Sequence, residues 1–348
     1  MKTRPAAWCA LVSAALFGVS VPLAKLLLGA IAPHLLAGLL YLGSGVGLAV
    51  IRAGAPRARR GAALTPDDRR WLAAAIACGG IAAPLLLLYG LRATTGSTAA
   101  LLLNLEAVFT ALLAWLVFRE NAGARVVLGL LAIVAGGLVL GVSAPASGAS
   151  STAGIAAIAG ACLCWGLDNN LTRKIAAADP HVIAASKGLV AGAVNTSLAL
   201  AAGAAVPPVT AIAGALALGF CAYGLSLVLF VRALRDLGAS RTGAYFATAP
   251  FLGALAAILL LGEPFTPLLG LAGALMGLGV WLHLTEHHAH EHAHAALDHS
   301  HAHVHDAHHR HRHDVDWHGE APHTHPHHHA PLVHSHEHHP DIHHRHEH

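Results

Sequence analysis

Ten long apolar blocks, each near the length needed to cross a bilayer, constrain this chain more than any other feature. A helix rising 1.5 Å per residue through about 30 Å of hydrocarbon needs roughly 20 apolar residues. Blocks of that kind lie near residues 8–29, 33–51, 71–91, 95–118, 124–142, 153–174, 181–203, 210–231, 242–261 and 266–284. With 55% hydrophobic residues, 11% charged residues and a mean hydropathy of +0.58, the chain lacks the charge to cover a water-soluble surface. The first block, Trp8 to Gly29, is longer than a secretory signal core and ends at no convincing cleavage site, so it is expected to span. The five cysteines all fall inside apolar blocks and are expected to be small buried residues rather than a disulfide framework.

Charge sidedness follows from the connectors. With the amino terminus inside, Lys2, Arg4, Arg52, Arg57, Arg59, Arg60, Arg69, Arg70, Arg119, Arg125, Arg173, Lys174, Arg232, Arg235 and Arg241 fall on one side, against Lys25 and Arg92 on the other. This bias predicts that both termini are cytoplasmic.

Laying Leu91–Glu120 on Leu234–Glu263 without gaps, at an offset of 143 residues, aligns identical residues at Leu91, Arg92, Ser97, Ala111, Leu112, Ala114, Leu116 and Glu120. Phe17-Gly18 and Lys25 likewise resemble Trp165-Gly166 and Arg173, and Pro33-His34 resembles Pro180-His181. Five spans per half is an odd number, so the second half must enter the membrane inverted, the arrangement of many alternating-access carriers. The expected fold class is an all-α integral membrane protein of ten transmembrane helices in two inverted five-helix repeats, residues 1–146 and 147–286, followed by a disordered His-rich tail, 287–348.

The stretches TTGSTAALLLNLEAVFTALLAWLVFRE, YFATAPFLGALAAILLLGE and CWGLDNN resemble the EamA-type permeases of the drug/metabolite transporter superfamily over roughly residues 8–285. The resemblance implies ten helices, a bacterial inner-membrane location and secondary transport of metabolites, often outward. Two positions depart from the family pattern: Ala107 stands where proline is usual and Arg119 where glycine is usual, while Pro250 and Gly262 keep the pattern in the second half. The helix geometry around Glu106 is therefore an open point.

Ionisable groups within a span cost on the order of 2.5–3.5 kcal/mol and need a reason. Glu106 is expected midway along the fourth span, with Thr110 one turn further on the same face. Its repeat partner is Ala249, so the fold does not demand a carboxyl there, and Glu106 becomes the candidate coupling or binding group. Asp168 and Lys187 are expected to pair at similar depth on adjacent spans, either as a structural ion pair or as substrate contacts, with Asn169, Asn170 and Asn195 extending the polar surface. Glu120 and Glu263 mark the repeat at the membrane boundary, and His34 and His181 are expected at interfaces.

The tail holds 27 histidines in 62 residues and too few apolar groups for a core. Alternating imidazoles such as His287, His288, His290, His292, His294, His301, His303 and His305 suit Ni, Zn, Co or Cu with little selectivity. A proton-coupled exporter of a small metabolite or drug-like solute is the leading function, with no cofactor required. Efflux of a transition metal, or a membrane-anchored metal buffer, is the alternative, and a homodimer is left open. Nucleotide loops, nucleophile elbows, zinc-protease helices and aromatic-interleaved basic patches are absent, so neither an enzyme nor a nucleic-acid binder is expected.

Overall fold

The computed structural model describes residues 3–54, 64–118, 124–146, 150–175, 179–237 and 239–285, together with four short segments of the tail. Within a bilayer the backbone must satisfy its own polar groups, and a helix does this without a partner segment. The apolar blocks accordingly form α1 (Thr3–Leu27), α2 (Pro33–Gly54), α3 (Pro66–Ala75), α4 (Ala83–Arg92), α5 (Gly96–Leu102), α6 (Leu105–Phe118) and α7 (Ala124–Ala146) in the first half. The second half contains α8 (Thr152–Arg173), α9 (Pro180–Ala201), α10 (Val209–Gly219), α11 (Ser226–Leu237), α12 (Ala239–Phe246), α13 (Ala249–Leu261) and α14 (Pro267–Leu284). Starts are set by local chemistry. Thr65 and Asp68 make a capping box before Pro66, and Thr95, Ser151, Asp179 and Thr266 accept backbone N–H groups at the starts of α5, α8, α9 and α14.

Nine of the expected ten spans are, among the described residues, long and apolar enough to cross a membrane. The remaining one, α8, has a comparable 22 residues but carries Asp168, Asn169 and Asn170. Two expected single helices are broken. α5 gives way to α6 at Leu103-Asn104, and α12 to α13 at Ala247-Thr248, within one residue of the same place in both repeats at the 143-residue offset. Two others carry a π-helical segment, Ile76–Ala82 between α3 and α4 and Phe220–Leu225 between α10 and α11, again at matching positions. The helix starts at Pro66 and Val209, Ala83 and Ser226, and Ala124 and Pro267 obey the same offset.

The packing exchanges under the repeat. α1 lies against α13 as α8 lies against α6, α1 against α11 as α8 against α4, and α2 and α7 each meet their own counterparts, α9 and α14. The two halves interlock into one unit, Met1–Glu286, rather than standing as separate bodies. Close approach depends on repeat-related glycines. A Cβ on Gly18 would lie 2.2 Å from the Ala249 carbonyl oxygen, and one on Gly166 would lie 3.0 Å from the Thr110 nitrogen. This is why Phe17-Gly18 and Trp165-Gly166 match in sequence: small residues let backbones touch where no hydrophobic force drives helices together. Gly262 ends α13 in the left-handed region (φ 66°), a conformation that favours glycine. Its counterpart Arg119 lies outside the described residues.

Residues 287–348 form a separate unit. In it β1 (Ala289–His294) pairs antiparallel with β4 (Leu332–Glu337), and β2 (Leu297–His303) with β3 (His323–His329). The alternating His-x-His pattern is compatible with extended backbone, and isolated two-stranded ribbons of this size are marginal in water.

Gly18→Val should drive its added atoms into the α13 backbone. Overpacking of this kind costs about 1–3 kcal/mol, and a lower melting temperature of the detergent-solubilised chain by intrinsic fluorescence is the expected result. An unchanged melting temperature would contradict the tight α1–α13 contact.

Candidate functional site

The break in the fourth span repositions Glu106. It does not sit midway along a continuous helix, as the sequence suggests, but in the first turn of α6, immediately after the Leu103-Asn104 interruption. The interruption is held by short-range bonds, Glu106 N–H to the Leu103 carbonyl (3.0 Å) and Ala107 N–H to the Asn104 carbonyl (3.2 Å). The buried Asn104 side chain donates to the Leu101 carbonyl at 2.9 Å. Ala107 therefore does not abolish the break that Pro250 accompanies in the second half. A carboxylate in the first turn meets the positive end of the half-helix dipole, worth typically 0.3–1 kcal/mol.

Around Glu106 a polar cluster assembles from α6 and α8. Asn169 Nδ2 lies 2.9 Å from Glu106 Oε1 and 3.2 Å from Thr110 Oγ1. Asn170, on the buried side of α8, donates to the Thr110 carbonyl (3.1 Å) and the Gly166 carbonyl (2.8 Å), and so stitches the two helices together. On another side of α8, Asp168 and Lys187 form the expected ion pair. Thr172 Oγ1 joins it, donating to Asp168 Oδ1 at 2.9 Å and lying 2.7 Å from Lys187 Nζ. Gly79 makes room for this acid, since a Cβ there would fall 2.0 Å from Asp168 Oδ2.

The π-helical segment of the third span closes the cluster. Its Gly79 carbonyl accepts from both the Tyr41 hydroxyl (2.8 Å) and Trp165 Nε1 (3.1 Å), and its Gly80 carbonyl accepts from Asn195 Nδ2 (3.1 Å). Glu106, Tyr41 and Tyr223 are half-buried and Asn169 is exposed, so each keeps part of its surface accessible. In a membrane-spanning bundle, polar groups turned to lipid would carry the full insertion penalty. A separate open recess of about 350 Å³ between α2 and α9, lined by Ala49, Arg52, Val182 and Ser186 among others, contains none of these residues.

The structure thus brings Glu106, Thr110, Asn169 and Asn170 into one hydrogen-bonded group, sets Asp168–Lys187 beside it as a neutralised pair, and places Asn195 on the π segment. Sequence reasoning missed Tyr41, Trp165, Thr172 and Gly79 as members. Trp165 was within reach, standing one turn before Asn169 on the same face of α8, but π segments leave no periodicity to read. His34 pairs with the Tyr89 hydroxyl (2.7 Å) and His181 with Asp179 (3.3 Å), which also meets Arg52 (3.3 Å); both histidines lie near helix starts, away from the cluster. Glu263 does more than mark the repeat. Its two oxygens accept the Gly96 and Ser97 N–H groups (2.6 and 2.8 Å) at the start of α5, while Lys25 donates to the Leu91 and Thr94 carbonyls nearby. Glu120, His287, His288 and His305 lie outside the described residues, as do the side chains of His290, His292, His294, His301 and His303. No group of three or more metal-ligating side chains occurs among the described residues.

A family match also divides the chain into two repeats. The EamA-like transporter family model matches residues 4–142 and 152–285, once per repeat. The chain belongs to the EamA-like transporter family. It is therefore a multi-pass membrane transporter. The seam between the two matches falls at the α7–α8 junction. A curated "Uncharacterized transporter" of Methanothermobacter thermautotrophicus is 30% identical over 281 residues, covering 76% of this chain and 82% of the relative. A solved crystal structure superposes with a TM-score of 0.59 at 20% identity, over 81% of this chain and 98% of that one, and shares the fold.

Removing one partner of a buried pair strands the other at a cost of about 3–5 kcal/mol. Asp168→Asn and Lys187→Met should each lower thermal stability markedly in this transporter, and the double variant should recover much of the loss. Additive losses in a double-mutant cycle would show that the pair is not coupled.

Proposed function

We propose that the chain is a secondary transporter that moves a small organic solute across the membrane by alternating access, exporting it in exchange for protons. The observation that carries this reading is Glu106. It is a half-buried carboxyl within a membrane-spanning segment, held by an amide rather than by a cation, and it makes no ion pair with any described lysine or arginine. A fold that needed only to neutralise buried charge would pair it, as it pairs Asp168 with Lys187. An unpaired carboxyl at a half-helix terminus is suited to take up and release a proton, or to exchange it for a substrate, while two inverted halves alternately open to either side. The bias of basic connectors favours cytoplasmic termini, and the family resemblance favours a bacterial inner membrane.

Proteoliposomes loaded with a metabolite panel and subjected to pH gradients of both signs provide the test. Flux should follow the proton gradient, and Glu106→Gln should reduce it about tenfold or more, within the usual contribution of a positioned acid–base group, while abolishing its pH dependence. Unchanged pH-dependent flux in that variant would remove Glu106 from the mechanism.

The histidine tail is assigned a separate role, reversible capture of Ni, Zn, Co or Cu. Deleting residues 287–348 should leave solute flux intact and remove Ni binding by the chain at micromolar metal. Loss of flux on deletion, with the truncated chain still monodisperse, would favour metal-linked transport instead.

A further inference from the structure

The two walls of the internal site differ in chemistry, although the repeats that build them match in backbone. The residues that the repeat relates to Glu106, Asp168 and Lys187 are Ala249, Ser20 and Leu40, so the charged groups belong to α6, α8 and α9 without counterparts on α13, α1 and α2. Conversely, Tyr223, Phe230 and Phe246 have Gly80, Leu87 and Leu103 as partners. The rings run in a continuous series. Tyr41 stacks on Tyr223 at 5.9 Å between centroids, Tyr223 meets Phe17 edge-on at 5.9 Å, Phe17 contacts Phe246 at 5.6 Å, and Phe246 contacts Phe230 at 4.9 Å. Tyr41 joins the two walls, being stacked in this series and sharing the Gly79 carbonyl with Trp165, one turn along α8 from the Asn169 that holds Glu106.

Hydrogen-bonding capacity is equally lopsided. Most of the donors beside the site are already engaged: the Tyr41 hydroxyl and Trp165 Nε1 on the Gly79 carbonyl, Asn195 on Gly80, Asn170 on two helix carbonyls, and Lys187 on Asp168 and Thr172. Glu106 retains acceptor capacity, because an ionised carboxylate offers about four lone-pair sites and Asn169 is bonded to Oε1 alone. A site short of free donors, with one unpaired acid beside the negative faces of aromatic rings, repels anions and offers a neutral polar solute little. It favours a cation, which gains from both the carboxylate and the rings. The lack of a cluster of three metal-ligating side chains among the described residues argues against a bare metal ion here.

We infer that the transported solute is a lipophilic organic cation, an amine or quaternary ammonium on an apolar or aromatic body, its charge held at Glu106 and its body against the rings of Tyr41, Tyr223, Phe17 and Phe246. This inference rests on the proposal that the Glu106 cluster is the transport site. Asn169 acts as a positioning residue, tying the carboxylate to Thr110.

Three probes that share a benzyl or phenyl ring and differ in charge separate the possibilities: benzyltrimethylammonium, benzyl alcohol and benzoate, bound to the purified full chain and measured by equilibrium dialysis with the radiolabelled cation. The cation should bind saturably, and neither of the other two should displace it at equal concentration. Glu106→Gln should weaken binding about tenfold, equivalent to one charge contact, while Glu106→Asp retains most of it. Tyr223→Leu should weaken binding severalfold and Tyr223→Phe should not, all variants being required to elute as one monodisperse species. Absence of saturable cation binding by the wild-type chain, equal competition by benzoate or benzyl alcohol, or unchanged binding in Glu106→Gln overturns the inference. Should the cation fail while a neutral or anionic solute shows Glu106-dependent, pH-driven flux, the substrate class falls and the transporter mechanism stands. Should cation binding persist unchanged in Glu106→Gln, with flux of every solute indifferent to that change, both fall together.

Discussion

Inside a membrane no water is available to take up a backbone carbonyl released from its helix, so each interruption must bring its own partner. This constraint organises the transporter. The π-helical segments turn on bonds from Ala83 N–H to the Cys78 carbonyl and from Ser226 N–H to the Cys221 carbonyl, at repeat-related positions. The two half-helix breaks are closed by side chains, Asn104 onto Leu101 in the first half and Thr248 onto Tyr245 in the second. In the third span the Gly79 and Gly80 carbonyls draw in Tyr41, Trp165 and Asn195 from two other helices and from α8. The residues that repair the backbone surround the site, so repair and site construction use the same side chains.

Symmetry and its violation divide the work. What the two halves share is backbone: helix starts, half-helix breaks, π segments, close-packing glycines at positions 18 and 166, and the interlocking of each half with the other. What they do not share is charge and aromaticity. Acid and amide side chains gather on α6 and α8, with the lysine of the neutral pair on α9, and the rings come from α1, α2, the second π segment, α11 and α12. An inverted pair of scaffolds supplies two related conformations, and a binding site needs only one set of ligands, so selection on the site is free to make the halves chemically unequal.

Much of the architecture was legible because membrane helices advertise themselves. Helix positions agree with the apolar blocks to within a few residues, and the alignment of Leu91–Glu120 with Leu234–Glu263 already contains the structural register of the later spans in each half. The Asp168–Lys187 pair was readable from depth alone, since two opposite charges at similar depth on adjacent helices have few alternatives to each other. The environment of Glu106 was only partly readable. Its place in the fourth span was readable, but the helix break beside it leaves no trace in a run of leucines with Ala107 in place of proline, and the convergence of Tyr41 and Trp165 on one carbonyl depends on a π turn with no characteristic spacing.

Sequence by itself determined the solvent of this protein, its number of apolar segments, its duplication and the residues whose burial demands explanation, because hydrophobicity, charge sidedness and internal identity are properties of the chain in one dimension. Tertiary structure alone decided which carbonyls were released and which side chains reached them, which acid was paired and which was left unpaired, and which rings stand next to which charges. Those outcomes depend on how helices distant in the chain approach one another to within hydrogen-bonding distance, and that approach is set by glycine contacts and backbone breaks acting together in three dimensions.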